Sequence, residues 1–336
     1  MQKITYLKNP IYFESFSSVG GKEEGEGPLG KKFDFIDKKD LFGMKTWERA
    51  EGEMSRIALN IALKKANLPP EKLNVIAAGD LQNQCVASSG GLFTFGVPFI
   101  GLYGACSTCT EGLIIISSLL TSSDKYERGA SVTSSHNCAA ERQFRAPIEY
   151  GGQRPPSSQW TATASGAFIL SKKPSGAKIT AFMPGKATDG YIKDPTNMGA
   201  AMALGAFDSI NRFFEENNPD EFDMIITGDL GKIGSEILCE LLLEKNNICG
   251  NKLKVLHKDC GLILYDLNAG DYHSGASGCG CSASVLASHI LPLVMSGALK
   301  KILFLSTGAL MSASSVFQGD HILGIAPLIQ IEHHVF

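Results

Sequence analysis

Cys106 sits in the run Tyr103-Gly104-Ala105-Cys106-Ser107-Thr108-Cys109-Thr110-Glu111-Gly112-Leu113, where an apolar segment gives way to a helix. Thr108 and Glu111 have the T-x-x-E spacing of a capping box, and Leu113, Ile114, Ile115, Ile116, Leu119 and Leu120 predict a helix buried nearly all round. Cys106 would then lie just before the helix N-terminus. Unpaired backbone N–H groups and the positive end of the macrodipole favour a thiolate or a bound anion there. The segment is equally compatible with a buried, inert thiol.

The elements that would position this thiol come in two similar sets. Val75-Ile76-Ala77-Ala78-Gly79-Asp80-Leu81 reads as a buried strand running into a turn, and so does Met224-Ile225-Ile226-Thr227-Gly228-Asp229-Leu230. Gly104-Ala105-Cys106 is matched by Gly275-Ala276-Ser277, each followed by a polar turn and an apolar helix. Ala130 to Ser135 is matched by Ile302 to Thr307, and Gly166 to Leu170 by Ile325 to Ile331. Four pairs in the same order argue for duplication. Helices expected at Trp47 to Ala66 and at residues 201–216 precede the first repeated strands, giving the alternation of an α/β protein with mostly parallel sheets. The Lys-Lys-Pro-Ser-Gly-Ala-Lys stretch at 172–178 reads as a linker, dividing the chain into 1–175 and 176–336. Residues 141–160, rich in Pro and Gly, form a long polar excursion of the kind often used for function.

Composition removes several function classes. The 336 residues are 44% apolar with a net charge of −3, so a full core is available and no basic face is offered to nucleic acid. Nine cysteines without paired metal-ligand spacing fit a reducing compartment. Cys106-x-x-Cys109 could suggest a redox pair, but Cys109 falls inside the expected capping box and would turn away from its neighbour. The first 40 residues lack an apolar run of signal-peptide length, and the apolar stretches at 113–120 and 286–305 are interrupted, so no membrane span is expected and any association would be peripheral.

Two α/β halves with a cysteine at the start of a buried helix in the first resemble the thiolase and ketoacyl synthase superfamily. More narrowly, Gly27-Pro28-Leu29-Gly30, Ala78-Gly79-Asp80-Leu81-Gln82-Asn83-Gln84, Tyr103-Gly104-Ala105-Cys106-Ser107-Thr108, Thr133-Ser134-Ser135-His136-Asn137, Ala140-Glu141-Arg142-Gln143-Phe144-Arg145 and Glu149-Tyr150-Gly151-Gly152-Gln153 are similar to the stage V sporulation protein AD family of spore-forming Firmicutes. Thr227-Gly228-Asp229-Leu230, Gly278-Cys279-Gly280-Cys281-Ser282-Ala283 and Thr307-Gly308-Ala309-Leu310 extend the resemblance to the C-terminal half. It implies a thiolase-like fold of two duplicated halves and a homodimer. It also implies binding of dipicolinic acid, and action with other stage V proteins in moving that acid across the spore inner membrane, from the cytoplasmic face or peripherally.

A condensing enzyme needs bases converging on its thiol from the second half. Where ketoacyl synthases carry a histidine after a second-half strand, this chain has Gly228-Asp229; where they carry a histidine or asparagine before a small-residue helix, it has Gly278-Cys279; and the C-terminal cysteine turn of thiolases is replaced by Ser306-Thr307-Gly308. A shift of a few residues would bring in His273, restoring one base of two. Acyl transfer through Cys106 on a coenzyme A thioester is therefore the alternative to binding alone. Dipicolinate, the ligand the resemblance implies, has two carboxylates flanking a pyridine nitrogen and calls for helix N-terminal amides, guanidinium groups and neutral donors. Cys106 with its helix start would supply the first, Arg142 and Arg145 the second, and His136, Asn137, Gln143 and Ser306 the third. Both arginines read as well as surface ion-pair residues. Asp80 and Asp229 are expected to cap helices rather than to hold a bridging calcium, because neither segment has EF-hand spacing. No cofactor is expected beyond calcium arriving with dipicolinate, and His333 and His334 are given no role.

Overall fold

Ten strands carry the architecture, in a computed structural model that describes residues 4–144, 154–245 and 247–336. They are β1 (Thr5–Gly20), β2 (Val75–Gly79), β3 (Phe99–Leu102), β4 (Arg128–Ser135), β5 (Ala164–Ser171), β6 (Ala177–Met183), β7 (Met224–Thr227), β8 (His257–Asp259), β9 (Lys301–Leu305) and β10 (Leu328–His333). Across the main sheet they run β8-β7-β9-β10-β6-β1-β5-β4-β2-β3, with the two-residue strand Phe35–Ile36 attached to β1. The order is a mirror: each strand of the first five has its counterpart five strands later. The expected repeats Val75/Met224, Ala130/Ile302 and Gly166/Ile325 lie on or beside β2/β7, β4/β9 and β5/β10. The expected parallel pairing holds towards both ends of the sheet, β2 with β3 and β4, β7 with β8 and β9. The central strands run antiparallel, and the halves join where β1 meets β6 with Ile11 opposite Ile179.

Helices cover the outer face and fill the inner one. The outer helix α1 (Trp47–Ala66) starts where Thr46 Oγ1 accepts from Arg49 N and stops at Asn67 in the left-handed conformation. Its buried Ala50, Met54, Ala58, Leu59 and Ala62 recur at helical spacing and pack on Val19, Ile76, Ala130 and Ile169. Burying Met54 or Leu59 contributes about 1.5–3 kcal/mol each. After α2 (Val86–Leu92) come α3 (Thr108–Ser122) and α4 (Asn137–Phe144), then in the second half α5 (Met198–Phe214), α6 (Gly231–Lys245) and α7 (Cys279–Val285). The helix expected at 201–216 is α5, begun three residues earlier by the Asn197 cap, which accepts from Ala200 N. The two inner helices meet in one core: Leu113, Ile116 and Leu120 of α3 share a cluster with Cys281, Ala283 and Val285 of α7. Ala105–Ser122 is long and apolar enough to cross a membrane by length and composition, but 61% of it is buried in this core.

Candidate functional site

The thiol sits in a tight turn. Residues 105–107 form a single 3₁₀ turn between β3 and α3, entered through Ala105 at φ +52°, a left-handed conformation unusual for alanine. The expected Thr108/Glu111 capping box does not form. The chain passes from the 3₁₀ turn into α3 with Ser107 already in helical geometry, so no extended cap residue exists to offer its side chain. Thr108 Oγ1 instead donates to Ala105 O at 2.7 Å, and Ser107 Oγ donates to the Glu111 carboxylate at 2.6 Å. Burial raises the Glu111 pKa, against the lowering effect of that Ser107 bond.

Cys106 is 5% exposed, and its thiol donates to Asp229, a wholly buried carboxyl at the end of β7. Thr307 Oγ1 donates to Asp229 Oδ1 at 2.7 Å and Gly278 N to Oδ2 at 2.9 Å. Burial outweighs these bonds and pushes the Asp229 carboxyl up to about 7. Asp229 therefore ties the start of α7 to the thiol at the start of α3, whereas Asp80 caps its own neighbour α2, accepting from Ser88 N and Ser88 Oγ. Cys279 packs with Cys106, Leu81 and Ala140 and donates to Ser134 O at 2.9 Å; burial drives its pKa well up. Cys109 is buried behind, its thiol pushed up to about 12 by burial.

Cys106 opens onto a cavity of about 200 Å³. Its walls include Tyr103, Phe144, Met198 and Met311, with Thr161 and Glu141 as polar members; Thr161 Oγ1 donates to Glu141 Oε1 at 3.2 Å. No lysine, arginine or histidine lines it among the described residues.

Of the expected site residues, only Cys106 reaches this cavity; Arg145 lies outside the described residues. Arg142 lies over the Trp47 ring at 5.2 Å and pairs with Glu48, held there by cation–π and ion-pair attraction on the exposed side of α4. Gln143 ties two backbones together: Nε2 donates to Leu81 O at 2.6 Å and Oε1 accepts from Asn83 N at 2.9 Å. Asn137 Nδ2 donates to Thr161 O. His136 is buried with Nε2 2.8 Å from Asp40 O, and burial lowers its pKa. Ser306 is buried behind α3, accepting from Thr110 Oγ1 at 2.8 Å. His273 stands 2.5 Å from Asp271 and also does not line the cavity. The residues the sequence left without a role are Glu141, Tyr103 and Phe144; Asp229, expected to cap a helix, accepts from Gly278 N at the start of α7 and also holds the Cys106 thiol. The Asp229 signal was its place at the end of a repeated strand, facing the other half.

Two α/β halves closing on a thiol at the start of an inner helix define a thiolase-like protein. The fold is similar to that of 3-oxoacyl-[acyl-carrier-protein] synthase III from Aquifex aeolicus VF5, with a TM-score of 0.55 at 15% identity over 95% of this chain and 99% of that one. A point variant of OleA from Xanthomonas campestris gives 0.59 at 12% identity over 98% and 100%. A model of the family Stage V sporulation protein AD matches residues 1–332. Stage V sporulation protein AD of Bacillus subtilis (strain 168) is 39% identical over 322 residues, covering 95% of this chain and 94% of that protein. The chain belongs to the stage V sporulation protein AD family.

Proposed function

We propose that this protein is a catalytically silent, thiolase-derived binding protein for dipicolinic acid, acting in the acid's uptake into or release from bacterial spores. The observation that carries the silent half is the Cys106–Asp229 contact: the thiol is held by a buried carboxyl, and no imidazole or side-chain amide lines its cavity among the described residues. Asp229 is placed to take the thiol proton, but acyl transfer also needs imidazole or amide donors to polarise the acyl carbonyl, and the described lining supplies none. Family membership supports the sporulation role. The cavity supports a small flat ligand, with Tyr103 and Phe144 as aromatic walls.

Charge decides the ligand's form. The described residues bring no cation to the lining, so a bare dianion would need Arg145, whereas a calcium chelate would bring its own positive charge. Calorimetric titration with dipicolinate, its calcium chelate and acetyl coenzyme A separates these readings. Saturable binding of dipicolinate or the chelate, with no mass adduct from acetyl coenzyme A, is expected. A stoichiometric adduct abolished by Cys106→Ala would establish the acyltransferase instead. Association as a homodimer, and with other stage V sporulation proteins at the spore inner membrane, belongs to the same proposal.

A further inference from the structure

A second cavity, of about 430 Å³, lies away from Cys106 and shares no lining residue with its pocket. It is built from the Gly27-Pro28-Leu29-Gly30 region and its flanks. A Cβ on Gly30 would strike the Gly25 carbonyl oxygen, and one on Gly25 would lie 2.7 Å from Ile36 Cγ2. These glycines let three chain segments close on one another, and the closure brings Lys22, Lys31 and Lys38 around one concave floor formed by Gly25, Gly30 and Ile36.

The neighbouring carboxylates that do not line the cavity are held by backbone, tyrosine or lysine donors. Glu24 accepts from Gly21 N and Thr163 N, Glu23 from Tyr272 Oη, Asp34 from Ser18 N and Lys65, Asp37 from Lys39 N and Phe42 N, and Asp40 from Lys22 N. Glu26 is the one carboxylate in the lining, facing three ammonium groups. Lys22 Nζ has Glu23 at 3.5 Å, but Lys31 and Lys38 have no ion-pair partner among the described residues. Within the lining, the ion-pair-free Lys31 and Lys38 outnumber the single carboxylate Glu26, and compact ammonium donors without an aromatic wall suit a tetrahedral oxyanion better than a flat aromatic acid.

We propose that this cavity binds a phosphate group through Lys22, Lys31 and Lys38. The group is either a soluble phosphate or the headgroup phosphate of an anionic lipid, and two measurements tell them apart. Inorganic phosphate and glycerol 3-phosphate are titrated into the full chain at about 0.01 M salt, where the Debye length is about 30 Å. Flotation is run in parallel with phosphatidylglycerol vesicles and with phosphatidylcholine vesicles. The double variant Lys31→Ala/Lys38→Ala is compared with a control, Lys125→Ala/Lys186→Ala, at exposed lysines outside the cavity. Affinity for one probe class should fall at least tenfold in the first variant and stay unchanged in the control. Loss confined to phosphatidylglycerol vesicles assigns the lipid source, and loss of soluble phosphate binding assigns the free ion. Absence of saturable binding to any probe, or equal binding by parent and Lys31→Ala/Lys38→Ala, overturns the site.

Discussion

A carboxyl that is wholly buried and yet holds three hydrogen bonds, as Asp229 does, sits between two demands: burial favours its neutral form, while the Cys106, Thr307 and Gly278 donors favour its anion. Asp259 faces it as well and opposes a second negative charge, and the Asp229 charge in turn helps hold the Cys260, Cys279 and Cys281 thiols protonated. Its pKa rises from an ordinary 3.8 to about 7. Between those values the folded protein keeps a proton that the unfolded chain has released, so the Asp229 contribution to stability falls as pH rises through this window and levels off above it. Asp229→Asn removes that titration. It should be clearly less stable than the parent at pH 5, where its amide meets the Gly278 and Thr307 donors poorly. The deficit should shrink towards pH 8 by about 2.7 kcal/mol, the share of the shift that lies above pH 5. The Glu24 carboxyl, raised chiefly by burial and not by Asp229, titrates in both proteins and cancels in the difference. Thermal unfolding at pH 5, 6, 7 and 8 measures the gap, and a constant gap sinks the argument.

Each inner helix is entered through a residue with positive φ, Ala105 before α3 and Gly278 before α7, and these two entries aim the thiol and the Asp229-binding N–H at each other. The entries tolerate change differently. At Gly278, φ is +95° and a Cβ would lie 2.6 Å from Ser135 Oγ, so Gly278→Ala should lower stability by on the order of 1–3 kcal/mol, measured by urea unfolding. Ala105→Gly relieves a left-handed alanine and should leave stability equal or higher; parity between the two variants would remove the distinction. At this scale the sequence was readable where apolar patterning dominates: β2/β7, β4/β9, α1 and α3 follow from runs and periodicity. Caps were less readable, because T-x-x-E at Thr108 and Glu111 looks the same whether the chain arrives extended or through a 3₁₀ turn. Polar site residues were the least readable. Gln143, Asn137, His136 and Ser306 have the donors a ligand would need, but backbone carbonyls and, for Ser306, the Ser282 hydroxyl of this protein take them up. Composition does not tell a donor aimed at a ligand from one aimed at the chain.

At the scale of the whole molecule, the sheet ends differently on its two sides. β8 is three residues long and places Lys258 in its centre, a short charged edge that resists pairing with another chain. At the opposite end, β3 pairs with β2 alone along one side, and around it stand Phe93 at 72% exposure, Val86 at 53% and Phe99 at 39%. An open strand edge flanked by large exposed apolar side chains is costly in water, and a second copy related by a two-fold axis, each β3 facing the other, would relieve it. Tyr103, which follows β3 and lines the Cys106 cavity, would then stand close to the junction, so association and ligand binding would be felt at the same end of the strand. The expected result is a dimer in sedimentation velocity at micromolar concentration. Phe99→Asp, which sets like charges facing each other at the axis without disturbing the buried face of β2, should shift the protein to monomer by at least a tenfold weakening of association. A parent that sediments as a monomer, or a Phe99→Asp variant that dimerises like the parent, would show that this edge is not the interface.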